Sequence, residues 1–123
     1  MAEVEITLPW PPKELSPNAR LHWARVSKAK KAYREACYYI ALMSLERGMF
    51  DESDAIEVHL EFHKPNRRAM DWDNFIARMK AGLDGVSDAL KINDKQFRLS
   101  MKVADEIGGF VRVKISQGEK HGS

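Results

Sequence analysis

The sequence predicts an α+β fold in which two amphipathic helices pack on one face of a mixed sheet of about four strands. Three observations carry this. Four short segments alternate apolar and polar residues with a period of two. Two longer segments space their apolar residues helically. Their order along the chain is β-α-β-α-β-β, and the chain of 123 residues is long enough for one self-sufficient core. A single domain over residues 1–116 is expected, with residues 117–123 as a disordered tail.

The first strand is read from Val4, Ile6 and Leu8 alternating with Glu3, Glu5 and Thr7. It should end at Pro9-Trp10-Pro11-Pro12, where proline removes ladder donors. Residues 13–26 are expected to be an irregular loop. A helix should follow Ser27 as N-cap and run to Arg47, with Gly48 as the stop and Tyr33, Ala36, Cys37, Ile40 and Met43 as its apolar stripe. In the second strand Ile56, Val58, Leu60 and Phe62 face one way, and Glu57, His59, Glu61 and His63 the other. The loop from Lys64 to Met70 leads to a second helix from about Trp72 to Ala89, with Ile76, Met79, Leu83, Val86 and Leu90 inward. Phe97, Leu99, Met101 and Val103, then Val111, Val113 and Ile115, are read as two strands of a hairpin turning near Gly108-Gly109.

Composition narrows the functional class. With 44% hydrophobic and 31% charged residues, the chain has the makeup of a soluble globular protein. No apolar run reaches the ~20 residues of a membrane span. The N-terminus lacks the basic and apolar regions of a signal peptide, and the single cysteine, Cys37, has no partner for an internal disulfide; both point to the cytoplasm. Net charge is only +2, yet seven of the residues from Lys13 to Arg34 are basic against one acid, Glu14. A second basic group, Lys64, Arg67 and Arg68, precedes an acidic pair. Carboxylates set within basic surface suit a polyanion that must also meet a metal ion, although charge runs are often no more than solvated faces.

The chemistry concentrates in Met70-Asp71-Trp72-Asp73-Asn74, which enters the second helix, and in Asp94 after it. Aspartates two apart ahead of a helix can aim their oxygens into one space, as a hard cation such as Mg²⁺ requires. The competing reading makes Asp73 a helix N-cap and Asp71 a surface acid. At 100° per residue, Lys80 and Asp84 fall within roughly 20° of Asp73, about 100° from the stripe centred on Leu83. A lysine there could stabilise charge on a phosphoryl transition state, or it could be a routine pair with Asp84.

The run Asp71-Trp72-Asp73-Asn74-Phe75, then Lys80 and Asp84, then Asn93-Asp94, resembles the signature of the RusA family of Holliday-junction resolvases. The opening Ile6-Thr7-Leu8-Pro9-Trp10-Pro11-Pro12 is similar to that family's first strand and proline turn, and the likeness of layout covers residues 3–116. The resemblance implies a dimeric, Mg²⁺-dependent endonuclease, with Mn²⁺ as a substitute, that resolves four-way DNA junctions by paired symmetric nicks in recombination and repair. It implies Asp71, Asp73 and Asp94 as metal ligands. The family's catalytic lysine lies four residues after the second aspartate, which here is Ala77; Lys80 stands one helical turn further on, as if the helix began with an extra turn.

On this reading Asp71, Asp73 and Asp94 hold one or two Mg²⁺ against the scissile phosphate and Lys80 shares its charge. Lys64, Arg67, Arg68, Arg20, Arg25, Lys28 and Lys31 hold flanking phosphates. Neither an organic cofactor nor a membrane is expected. The alternatives are a metal nuclease on other branched or flap DNA, and a catalytically weak structure-specific DNA-binding protein. A zinc site on Glu57, His59, Glu61 and His63 is disfavoured because Arg98, Lys102, Arg112 and Lys114 can pair those acids across strands. His63, near the loop to Asp71, is retained as a candidate neighbour of the site. Trp23 either stacks on a nucleotide or joins the core, Trp72 should pack away from the aspartates, and Cys37 falls on the core stripe.

Overall fold

The structure is a computed structural model that describes residues 2–46 and 48–118. Strand β1 (Ala2–Pro9) buries Ile6 and Leu8 and leaves Glu3, Glu5 and Thr7 exposed, as the alternation predicts. The proline turn and a short 3-10 turn over Lys13–Leu15 follow, pinned by buried Leu15.

Helix α1 (Trp23–Ser44) begins more than a turn ahead of the predicted start at Lys28. Its N-cap is His22, whose Nδ1 accepts a hydrogen bond from the Ala24 amide at 3.2 Å, not Ser27. The first turn is invisible to periodicity because it faces solvent: Trp23 is 75% exposed. The C-terminal end also differs, with Leu45 already extended; Arg47 lies outside the described residues. The buried stripe is Tyr33, Cys37 and Ala41, while Met43 is 87% exposed and Ala36 and Ile40 are half-buried.

Strand β2 (Ile56–His63) buries Ile56, Val58, Leu60 and Phe62. His63 breaks the predicted polar face: it is buried because the Phe110 ring stacks on it at 4.3 Å. Helix α2 (Trp72–Leu90) buries Phe75, Met79, Leu83 and Val86, but Ile76, assigned inward by spacing, is exposed and Leu90 only half-buried. The core side of α2 is therefore centred nearer Met79 and Val86, roughly 130° from Asp73. The helix ends on Lys91 in the left-handed region at φ 58°.

Strands β3 (Phe97–Val103) and β4 (Phe110–Gln117) do not form the predicted hairpin. The sheet order is β1-β4-β2-β3: β4 runs antiparallel between β1 and β2, and β3 lies parallel to β2 at the edge. A parallel neighbour needs a long crossover, and α2 provides it. Residues 104–109 then arch over the end of β2. The amides of Ala104, Gly108 and Gly109 donate to the carbonyls of Phe62, Lys64 and His63 at 2.9, 2.9 and 2.7 Å. Gly109, at φ 80°, takes the left-handed conformation this arch needs. The predicted tail boundary also moves: Gln117 belongs to β4 and binds the backbone of Asp51, while residues 119–123 lie outside the described residues.

The architecture is α+β, two helices over one face of a four-stranded mixed sheet. The inner faces of β2 and β4, with Ile6 and Leu8, meet Tyr33, Cys37, Met79 and Val86 in one core. The helices approach closely at Gly85, where a Cβ would collide with the Arg34 carbonyl. Among the described residues no helix is long and apolar enough to cross a membrane.

Candidate active site

An aromatic cluster sets the entry of α2. The rings of Phe62 and Phe75 lie 4.4 Å apart, and Trp10 packs edge-on against both, at 6.1 and 6.2 Å. Trp72 leans on Phe75 at 5.7 Å and stays half exposed. The Ser16 hydroxyl donates to Asn74 Oδ1 at 3.0 Å, tying the loop after β1 to the first turn of α2. The backbone that carries Asp71 and Asp73 is thus anchored from below by packing and from the side by a hydrogen bond.

Asp71 is the N-cap residue of α2, and its carbonyl accepts from the Asn74 and Phe75 amides. Its carboxylate makes no capping bond. Asp73, in the first turn, is also exposed, and among the described residues neither carboxylate accepts a hydrogen bond or makes an ion pair. The capping reading of Asp73 therefore does not hold; apart from the favourable field of the helix N-terminus, these two carboxylates make no stabilising contact among the described residues.

Two turns along, Lys80 meets two more acids. Its Nζ lies 3.2 Å from Asp94 Oδ2 and 3.5 Å from Asp84 Oδ1. The bond to Asp94, with the nearby Asp84 charge, raises the lysine pKa above its ordinary value. Lys80 is therefore more than a helix-surface partner of Asp84, because it reaches across to the loop after α2. That loop is fixed by buried Ile92, whose carbonyl accepts from the Ser87 hydroxyl at 2.5 Å, and by Asn93, whose side chain accepts from the Lys95 amide.

The donor set Asp71, Asp73 and Asp94 fits a hard divalent cation in its chemistry, since all the ligand atoms are carboxylate oxygens. Among the described residues no three His, Cys, Asp or Glu side chains are drawn together closely enough to hold a metal ion. The cation beside Asp94 is the Lys80 ammonium.

Basic surface flanks this face. A groove of about 700 Å³ between the Leu15 turn, α1 and α2 is lined by Lys30, Lys31, Arg34 and Lys80 over an apolar floor, with Glu14 and Asp84 as its acids. Lys13, Arg20 and Arg25 border an adjoining depression that shares Ser16 and Ala19 with the groove. Lys64 and Arg68 line a third, on the side of the loop before Asp71. Arg67 and Lys28 are exposed. Arg34 also ties α1 to α2 through Asp88 at 2.8 Å. Sequence reasoning missed Lys13 and Arg78 as members of this surface. Lys13 was visible as part of the basic run, but Arg78 reads as any helix cation until its contact with Trp10 is known.

The remaining candidates resolve simply. His63 Nε2 bonds Glu61 Oε1 at 2.6 Å, which lowers the Glu61 pKa, and Arg112 lies 3.9 Å from the same oxygen and 3.1 Å from Glu5. Glu61 is thus held chiefly by His63 on its own strand, with Arg112 across the sheet at longer range. His59 Nδ1 lies 2.7 Å from the Ser100 hydroxyl. Trp23 is outside the core and stacks loosely on His22, while burial pushes the Cys37 thiol up to about 11, so it is no nucleophile at neutral pH.

A scan against models of known protein families finds none that matches. An uncharacterized protein of Xylella fastidiosa (strain Temecula1 / ATCC 700964) is 42% identical over 115 residues, which span 90% of this chain and 73% of that protein. Identity of that degree over nearly the whole domain places this chain in one family with the Xylella protein.

Proposed function

We propose that the protein is a metal-dependent endonuclease of the RusA type, acting in the cytoplasm as a homodimer that resolves four-way DNA junctions in recombination and repair. The observation that supports this most is the bond between Lys80 and Asp94, fourteen residues apart, on the helix face that also carries Asp73. It couples the lysine to the third acid of the motif, and the basic groove begins at the same lysine.

Each residue has a defined task. Asp71, Asp73 and Asp94, which the structure does not draw together, would have to converge to hold Mg²⁺, or Mn²⁺ in its place. The bound ion would supply Lewis-acid charge at the phosphate and a water nucleophile at neutral pH. Lys80, its charge secured by Asp94 and Asp84, would offer a hydrogen-bond-donating cation to the negative charge that the scissile phosphate gains. Lys30, Lys31, Arg20 and Arg25 on one side, with Lys64, Arg67 and Arg68 on the other, orient the flanking backbone and give binding its salt dependence. Two copies related by a two-fold axis would present equivalent sites to a junction of matching symmetry.

The test is incision of a synthetic four-way junction in Mg²⁺, with linear duplex and a flap as controls. Symmetric paired nicks in the junction alone are the expected result. Cutting of flaps in preference to junctions would move the activity to other branched DNA. Binding without cutting in Mg²⁺ or Mn²⁺ would leave a structure-specific DNA-binding protein.

A further inference from the structure

A depression of about 520 Å³ opens between the Trp10–Lys13 loop, the Lys64–Met70 loop and Arg78 of α2. Lys13, Lys64, Arg68 and Arg78 line it, and no carboxylate does. None of the four makes an ion pair among the described residues. Four like charges around one concavity repel one another and raise the local anion concentration.

Arg78 is the most constrained of them. Its Nη2 donates to the Pro11 carbonyl at 2.6 Å and its guanidinium lies 5.8 Å from the centre of the Trp10 ring. Its Nε is buried with no hydrogen-bond partner. Burial lowers its pKa, only partly countered by Tyr33 and Glu14. A half-buried guanidinium held by a neutral carbonyl and an aromatic face has no counter-ion in the free protein, and an anion in the depression would supply one.

The walls are already shaped. Prolines 11, 12 and 65 stiffen both loops. Lys64 Nζ donates to the Arg68 carbonyl at 2.8 Å, and the Arg68 amide donates to Asn66 Oδ1 at 3.0 Å, so the second loop is closed on itself.

We infer that this depression is a phosphate-binding site separate from the aspartate–lysine face, with Arg78 as its base and Lys13, Lys64 and Arg68 as its rim. That the phosphate belongs to a nucleic-acid strand rests on the proposed function; the anion site itself does not. The loop carrying Lys64 and Arg68 runs directly into Asp71, so a strand fixed here is held on the approach to α2.

The experiment follows the arginine Nε–Hε resonance of Arg78, assigned with Arg78→Lys, in ¹⁵N-labelled full-length protein in EDTA. Probes are inorganic phosphate, sodium chloride at matched ionic strength, and a four-way junction. Saturable shifts with phosphate and with the junction, but not with chloride, are expected. Lys64→Ala and Arg68→Ala should each weaken the phosphate response several-fold with unchanged thermal melts. Each should also lower the slope of log K against log salt for the junction by about 1. A response to phosphate without one to the junction upholds the site and assigns it to free phosphate or a nucleotide. Absence of a saturable shift with either probe overturns the site, as does a response undiminished in the Lys64→Ala/Arg68→Ala double variant. Because no metal is present, a junction that binds here but is not nicked in Mg²⁺ removes the nuclease reading alone.

Discussion

Lys80 is the residue on which the proposed chemistry turns. Its position seven residues beyond Asp73 looks displaced from the RusA pattern, yet its ammonium reaches Asp94 at 3.2 Å. If it meets the phosphate in the transition state, Lys80→Ala should lower turnover on junctions by about 10²-fold or more while junction affinity changes little. Single-turnover nicking and anisotropy separate the two, and normal cleavage would reduce Lys80 to a surface residue. Asp73→Asn should abolish nicking but retain or tighten binding, because repulsion of phosphate falls; undiminished turnover would remove Asp73 from the site. Glu61 offers a different readout. Its pKa is lowered by the His63 bond, so the pair stabilises the fold at neutral pH and that contribution is lost as pH falls through the depressed value. Glu61→Gln should therefore lose less melting temperature than the parent between about pH 6 and about pH 3. Equal losses would show that the pair carries none of the acid sensitivity.

Among the elements, α2 carries both the core and the candidate site, and its two ends explain how. The N-terminal end is seated on Phe62, Phe75 and Trp10, and the C-terminal end closes on Lys91 with φ 58°. Between them Gly85 lets α2 lie directly against the backbone of α1. In Gly85→Ala the new methyl would strike the Arg34 carbonyl, forcing the helices apart at a cost of about 1–3 kcal/mol, read as a lower denaturation midpoint. A neutral result would show that the α1–α2 contact can relax around an extra methyl.

Across the molecule, the arrangement of charge says more than its sum. Net charge is +2, yet around the entry of α2 lie three neighbouring depressions whose charged lining is mostly lysine and arginine. Junction affinity should fall steeply with salt, about 0.9 in logarithmic slope for each phosphate neutralised on duplex arms. A slope near zero would detach this surface from nucleic acid altogether.

Local periodicity was enough to give the element order and the faces of β1 and most of β2. It also placed Cys37 inside and anticipated Arg112 across the sheet from Glu61, though not the same-strand His63 bond that dominates it. Helix faces were read less well: exposed Ile76 and Met43 show that apolar spacing alone does not tell which of two adjoining stripes a neighbour will cover. Three features emerge solely from the folded chain: β4 inserts between β1 and β2, Lys80 turns to Asp94, and Arg78 lies on Trp10 beside an acid-free depression. Each of these is a meeting of segments distant in the chain. Such meetings depend on how the crossover helix packs and which strand the sheet admits at its centre, quantities that no local window of residues contains.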